Sequence, residues 1–152
     1  MTEDESQIRE LVAEIADAYR AKDAERIVRY NSPDIVTFGL APPLRQRRGD
    51  TVDIGGGRQV DMTTAEGVRA WFAGFGDAPF DYETRDLEVA ADGTVAFAHC
   101  LTRMGSPGAF SMWFRLTIGL RKSGAGWQIT HTHASTPFYM DQTRRAALDL
   151  KP

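Results

Sequence analysis

Residues 110–136 read FSMWFRLTIGLRKSGAGWQITHTHAST and contain two runs in which the character of the side chain alternates. In the first run every second residue is apolar: Phe114, Leu116, Ile118 and Leu120. The turn-forming residues 123–126, Ser-Gly-Ala-Gly, separate the two runs. Because successive side chains of a strand point to opposite faces, the pattern predicts antiparallel strands over 110–122 and 126–136.

The same two-residue period extends towards the N-terminus and predicts two further strands. They cover about 82–90 and 94–104, with Asp92-Gly93 and residues 105–108 as turns. A shorter strand is predicted at 35–38, after the helix-stopping residues 31–34.

Helical spacing replaces the strand period in three segments. Ser6 is the predicted N-cap of the first helix. This helix carries an apolar face with spacings of three and four residues, formed by Ile8, Leu11, Val12, Ile15 and Tyr19. A short helix is predicted over 24–30, and Thr63 and Glu66 predict a capping box for a third. The order of elements predicts one α+β domain over residues 1–152.

Residues 41–62 lack either period. Pro42-Pro43, the arginine cluster at 45, 47 and 48, and Gly55-Gly56-Gly57 predict a loop or a loose hairpin, and whether it closes over a pocket stays open.

Composition excludes several classes of protein. The 152 residues carry 18 Lys and Arg against 21 Asp and Glu, and this balance does not favour nucleic acid as a partner. The single Cys100 excludes an internal disulfide and a four-cysteine zinc site. No apolar run approaches the roughly 20 residues that span a bilayer, so we expect a cytoplasmic protein that is not membrane-bound.

All three histidines lie on two strands of the predicted sheet. His99 is in the 94–104 strand, and His131 and His133 are in the 126–136 strand. They fit three roles: hydrogen-bonded members of a core or interface, general acids and bases, or ligands of a metal ion. Whether their face lines a pocket or meets solvent stays open, because a bulge can reverse the parity of a strand.

Other polar and aromatic residues share a predicted strand face with the histidines. They are Arg103, Trp113, Arg115, Thr117 and Ser135. Arg115 interrupts an apolar strand, which suggests either an ion pair or a clamp for a ligand carboxylate. On the helices, Tyr19 is either core or a hydrogen-bond donor to an oxyanion, and Trp71 is a candidate pocket wall.

The chain resembles one known group of proteins in its order of elements and in three segments. These segments are residues 33–38 (PDIVTF), the W-x-R-x-T-x-G-L-R motif of 113–121 and the G-W-Q-I-T-H-T-H-x-S-x-P-F motif of 126–138. It is the SnoaL-like, ketosteroid-isomerase-homologue branch of the nuclear transport factor two-like superfamily. The resemblance implies a cone-shaped α+β barrel of cystatin-like type, in which a curved antiparallel sheet wraps around helices and encloses one pocket. It also implies a homodimer packed through the sheet.

Members of this superfamily differ in activity, so the fold does not define the reaction. The catalytic aspartate of ketosteroid isomerase would fall near Phe38, and no Asp or Glu lies within 94–104 or 110–136. The expected function is therefore a cofactor-free and metal-free isomerase, cyclase or dehydratase acting on a hydrophobic carbonyl compound. In this hypothesis His99, His131, His133, Arg115 and Tyr19 are catalytic, and Trp71, Arg103, Trp113, Thr117 and Ser135 bind the substrate. The alternative is a homodimeric module that binds a hydrophobic or carboxylate-bearing molecule without turnover.

Overall fold

The computed structural model describes residues 1–152 and confirms the predicted α+β class. Its helices are α1 (Glu3–Arg20), α2 (Ala24–Val28) and α3 (Ala65–Ala73). Its strands are β1 (Asn31–Phe38), β2 (Gln46–Arg47), β3 (Val52–Asp53), β4 (Gln59–Val60), β5 (Asp81–Asp92), β6 (Val95–Ser106), β7 (Phe110–Ser123) and β8 (Gly126–Ser135). The four long strands match their predicted spans closely, whereas β1 begins four residues earlier than predicted. No helix is long and apolar enough to cross a membrane.

Helix α1 begins earlier than the sequence predicts. Its N-cap is Thr2 rather than Ser6: the Thr2 hydroxyl accepts from the Glu5 amide at 3.1 Å, and the Glu5 carboxylate accepts from the Thr2 amide at 3.0 Å. This reciprocal capping box satisfies two free amides at the helix start. The predicted apolar face of α1 is confirmed, since Ile8, Leu11 and Val12 are buried.

The start of α3 differs from the prediction by one residue. Thr64 is the N-cap, and its hydroxyl accepts from the Gly67 amide at 3.2 Å. The hydroxyl of Thr63 instead donates to the carboxylate of Asp61 at 2.6 Å. The competing local hydrogen bond therefore removes Thr63 from the capping role.

Six strands form one sheet in the order β2-β1-β8-β7-β6-β5, and β3 pairs with β4 separately. Strands β5 to β8 form the predicted antiparallel meander. Strand β1 lies parallel to β8, so the curved sheet is mixed rather than wholly antiparallel. This placement brings the end of β1 beside the histidine-bearing part of β8.

A bulge in β8 reverses its faces halfway along the strand. Leu120 of β7 pairs with Ile129, but the preceding Gly119 pairs with His131, which leaves Thr130 as an extra residue. Before the bulge, Trp127 and Ile129 are buried in the core. An inserted residue shifts the alternation by one position, so odd-numbered positions face inward before Thr130 and outward after it.

The helices cover one face of the sheet, which we call the inner face; the opposite one is the outer face. One buried cluster joins α1 to the inner face through Ile8, Leu11, Ile118, Leu120 and Ile129, among others. A second cluster joins the three helices to β5 and includes Ile27, Val68, Phe72, Phe80 and Tyr82. Residues on the edges of the two clusters surround a cavity.

Candidate functional site

The cavity has a volume of about 300 Å³ and is lined by 23 residues, 17 of them hydrophobic. The inner face of the sheet contributes one wall, which includes Phe114, Leu116, Ile118 and Ala134. These side chains are the apolar alternate positions of β7 and, after the bulge, the even positions of β8. Its size and composition are typical of a small-molecule site.

The segment 41–62 forms another wall of this cavity. Ala41, Gln46, Val52 and Met62 line it, and β2 holds the segment against β1 through the pairs Val36–Arg47 and Thr37–Gln46. The segment 41–62 therefore lies against the cavity, and it contains the short strands β2, β3 and β4.

Tyr19 and Trp71 are the two predicted site residues that line the cavity. The Tyr19 ring stacks on Tyr82 with centroids 4.2 Å apart and planes 5° apart. Burial raises the pKa of Tyr19 to about 12. It raises the pKa of Tyr82 as well, with a further contribution from Tyr19. Both phenols therefore stay neutral around pH 7 and can act as hydrogen-bond donors there.

The remaining polar lining residues carry no charge. They are Asn31, Thr37, Gln46, Thr63 and Thr132, and no Asp, Glu, Lys, Arg or His lines the cavity. No sequence pattern marks any of these five residues as part of a site. Asn31 lies in the predicted helix stop, Gln46 lies in the segment without periodicity, and Thr132 has the strand parity opposite to that of His131 and His133.

The three candidate histidines, His99, His131 and His133, lie on the outer face and do not line the cavity. Thr117 pairs with both His99 and His133, so these three residues form one cross-strand row. The sequence correctly grouped them on one face. The two faces of a strand are opposite, however, and the inner one is occupied by Ile118 and its apolar neighbours.

Each histidine has its own surroundings. The Nδ1 atom of His131 lies 2.7 Å from the Val36 carbonyl oxygen, which can only accept, so Nδ1 carries the proton. Phe38 contacts His131 and His133 edge-on, with centroid distances of 4.7 and 5.3 Å. The Nε2 atom of His99 lies 3.8 Å from the Glu88 carboxylate. No group of three or more His, Cys, Asp or Glu is placed to hold a metal ion.

The remaining predicted residues also lie away from the cavity. Arg115 is exposed, and its Nε atom donates to the Ser135 hydroxyl at 3.1 Å. Trp113 packs against Arg85, whose guanidinium carbon lies 4.9 Å from the ring centroid. The ion pair that the sequence suggests for Arg115 is formed instead by Arg103, whose Nε atom lies 3.3 Å from the Glu83 carboxylate.

Arg103 also borders a second, more polar depression of about 320 Å³ at the β6–β7 turn. Asp81 lies opposite Arg103 there, with their charged atoms 3.8 Å apart. Arg103 is therefore already paired with carboxylates of the protein, and it lies outside the apolar cavity.

The SnoaL-like domain family matches residues 8–139. This range includes most of α1 and all of the later helices and strands. This chain belongs to that family. Its fold is also that of an NTF2-like protein of unknown function from Pseudomonas putida KT2440, which is 31% identical over 97% of this chain and 96% of the other, with a TM-score of 0.76. No curated protein gave a match.

Two more distant structures share the fold of this SnoaL-like protein. One is a proposed aromatic ring hydroxylase from Novosphingobium aromaticivorans, with a TM-score of 0.61 and 17% identity over 91% of each chain. The other is a proposed dehydratase of the NTF2-like family from Streptomyces avermitilis, with a TM-score of 0.63 and 14% identity over 87% of this chain and 94% of the other. At these identities the likeness concerns the fold.

Proposed function

We propose that this SnoaL-like protein binds a neutral, largely apolar small molecule in the cavity between the helices and the inner face of the sheet. The observation that carries the proposal is the lining itself, which is mostly hydrophobic and contains no charged side chain. Transfer of apolar surface from water into this cavity contributes about 25 cal/mol per Å². A carboxylate would lose its hydration there without gaining a cationic partner, which costs several kcal/mol.

This proposal favours one of the two ligand classes that the sequence suggests. Arg115 is the expected clamp for a carboxylate and Arg103 an expected substrate-binding residue, and neither lines the cavity. A hydrophobic molecule that carries a neutral polar group matches the uncharged amides and hydroxyls that do line it. We therefore rank the hydrophobic ligand above the carboxylate-bearing one.

Isothermal titration calorimetry with 1-naphthol and 1-naphthoate tests the proposal. We expect 1-naphthol to bind at least about tenfold more tightly than the anion, a difference of about 1.4 kcal/mol. Ala134→Phe adds a ring to the cavity wall and should lower the affinity for 1-naphthol at least about tenfold.

The matched control is Gln128→Phe, which adds the same ring to the outer face of β8, between the core residues Trp127 and Ile129. It should leave the affinity unchanged within about twofold. Tighter binding of naphthoate, or equal effects of the two variants, would contradict a neutral cavity as the binding site.

Catalysis in the same cavity is a second candidate function, and the hydroxyl of Tyr19 favours it. This hydroxyl has no hydrogen-bond partner in the protein, and no fully buried side-chain oxygen or nitrogen lacks one, so the hydroxyl keeps contact with the accessible space of the cavity. A neutral phenol can donate to a carbonyl oxygen as charge develops on it. Isomerisation, cyclisation and dehydration are the reactions in which such a donor would act.

Native mass spectrometry of freshly purified wild-type and Tyr19→Phe protein, followed by identification of the released molecules, separates the two candidates. If the protein is a binding module, both proteins should release the same molecule. If Tyr19 takes part in a reaction, the variant should release a precursor that the wild-type protein converts when the two are mixed.

We also propose that two copies of the chain pack through the outer face. Val95 and Phe97 of β6 are 61% and 52% exposed on this face, and Trp113 lies on the neighbouring strand. Exposed apolar and aromatic side chains on a sheet are typical of an interaction surface. The outer-face histidines and Arg115 would then belong to the dimer interface or to its rim.

A further inference from the structure

One side of the cavity carries two carboxamide side chains, Asn31 and Gln46. Gln46 is only 6% exposed. Its Nε2 atom donates to the Asp50 carbonyl oxygen at 3.2 Å and to Asp61 Oδ1 at 3.4 Å. The Nδ2 atom of Asn31 donates to the Thr63 carbonyl oxygen at 3.2 Å. The NH₂ group of Gln46 thus uses both of its hydrogens within the protein, and that of Asn31 uses one of its two.

These hydrogen bonds fix which end of each amide is which. Carbonyl oxygens accept and never donate, and the carboxylate of Asp61 is an acceptor while it is ionised. Turning either amide by half a rotation would place oxygen against oxygen and lose the hydrogen bonds. The orientation therefore follows from the partners rather than from the shape of the side chain.

The amide oxygens remain available to a ligand. No donor in the protein reaches Gln46 Oε1 or Asn31 Oδ1, and no fully buried side-chain oxygen or nitrogen lacks a partner. Both oxygens therefore keep contact with accessible space, and both residues line the cavity. This side of the cavity offers two hydrogen-bond acceptors, and Gln46, whose two N–H groups both donate within the protein, has no donor left for a ligand.

The turn at 61–63 holds both amides in place. Asp61 accepts from the Gly49 amide at 2.7 Å and from the Thr63 amide at 2.9 Å, while its carbonyl oxygen accepts from the Thr64 hydroxyl at 2.8 Å. At Gly67, a Cβ atom would lie 1.9 Å from the Asp61 carbonyl oxygen, so only glycine allows α3 to approach the turn this closely. Asp61 is therefore a positioning residue for Gln46.

We infer that the cavity selects molecules that present a hydrogen-bond donor, a hydroxyl or an N–H group, to Asn31 and Gln46. This inference rests on the proposed function and specifies the ligand further. A ketone, ester or ether oxygen placed beside Gln46 Oε1 would face an acceptor, and Gln46 has no free N–H group to offer it. The selected ligand is therefore an apolar skeleton with a donor at one end, such as an alcohol or a phenol.

The test compares 1-naphthol with 1-methoxynaphthalene by calorimetry on the wild-type protein. The two probes share the ring, and the methyl group of the ether replaces the donor hydrogen. The hydrophobic effect alone favours the ether, because it has more apolar surface. We expect the opposite order, with 1-naphthol binding about tenfold more tightly, since a hydrogen bond to a buried acceptor outweighs one methyl group.

Two variants assign this preference to the amides. Gln46→Leu and Asn31→Leu each remove one acceptor and keep similar bulk, and each should reduce the preference for 1-naphthol to about threefold or less. Gln7→Leu makes the same change on the exposed side of α1 and should keep the full preference. Thermal melting shows whether each variant is folded, and the wild-type comparison needs no variant.

The outcomes separate this inference from the proposed function. If the wild-type protein binds both probes equally, or prefers the ether, the donor selection is wrong while the neutral cavity stands. If the preference persists in both folded leucine variants, the amides do not cause it and the inference is wrong. If neither probe binds, the proposed function fails as well.

Discussion

The two faces of strands β6 to β8 are built from alternating residues of the same segments, yet they differ in almost every chemical property. The inner face carries Phe114, Leu116 and Ile118 and closes a cavity without charged groups. The outer face carries the three histidines and Arg115, together with the exposed ring of Phe97. The contrast shows that the titratable side chains of these strands, which are the usual candidates for acid–base chemistry, do not surround the cavity. A ligand in the cavity meets amides, hydroxyls and phenols instead.

The largest expected effect contrasts the two faces at adjacent positions of β7. Ile118→Ala should lower the free energy of unfolding by about 2–5 kcal/mol, because Ile118 is 4% exposed and its loss leaves a hole in the core beside α1. Thr117→Ala on the outer face should change it by no more than about 0.5 kcal/mol. Urea denaturation measures both. Equal losses would mean that the outer face is packed as tightly as the inner one.

The next effect concerns the neutral phenols of the cavity at high pH. Burial raises the pKa of Tyr19 to about 12, whereas tyrosine in an unfolded chain titrates near 10. The folded protein thus holds this proton more tightly, and the associated stability is present below pH 10 and lost as the pH rises to 12. The loss is about 1.4 kcal/mol per pH unit in that window.

Urea denaturation between pH 9 and pH 11 checks this dependence. Tyr19→Phe should make the decline less steep, while Tyr82 maintains part of it because its pKa is also raised by burial. A decline that is equally steep without the Tyr19 hydroxyl would show that this phenol is not protected from ionisation.

A smaller effect is expected for the association of two chains through the outer face. Phe97→Glu places a charge among the exposed apolar residues of the outer face and should raise the dissociation constant of the dimer at least about tenfold. Sedimentation equilibrium measures it. Leu44→Glu, at a residue that is 97% exposed on the 41–62 segment, serves as the control and should leave the dimer intact. A monomeric wild-type protein would contradict this interface.

The smallest expected effect is the sharpest test of the comparison between the faces. His133→Ala should change the affinity for 1-naphthol by less than about twofold, since His133 is exposed on the outer face and contacts Phe38 rather than the cavity. Calorimetry provides the measurement. A tenfold loss of affinity would mean that the outer face, and not the apolar cavity, holds the ligand.

Local sequence signals were sufficient for most of the fold. The alternation around Ile118 and the helical spacing from Ile8 to Tyr19 depend on neighbours along the chain, and both elements are confirmed. The two predicted helix caps were displaced. Thr2 and Thr64 serve in place of Ser6 and Thr63, because several hydroxyls compete for the same free amides and only the local geometry selects one.

The candidate site was harder to predict, because it depends on residues far apart in the chain. Tyr19 and Trp71 could be proposed as cavity residues from the apolar faces of their helices. Gln46 could not, since no pattern marks it before β2 pairs with β1 and Asp61 orients its amide. A site assembled from a helix, an irregular segment and a sheet has no spacing signature in the sequence.

The sequence by itself determined the fold class, the order of the elements and the grouping of His99, Thr117 and His133 on one face. Only the tertiary structure decided which face that is. The single extra residue at Thr130 turns the odd positions of β8 outward after Ile129, and the packing of α1 against Ile118 and Leu120 assigns the inner face to the apolar side chains. Alternation has a period of two and no absolute phase, so the phase is set by what packs against the strand.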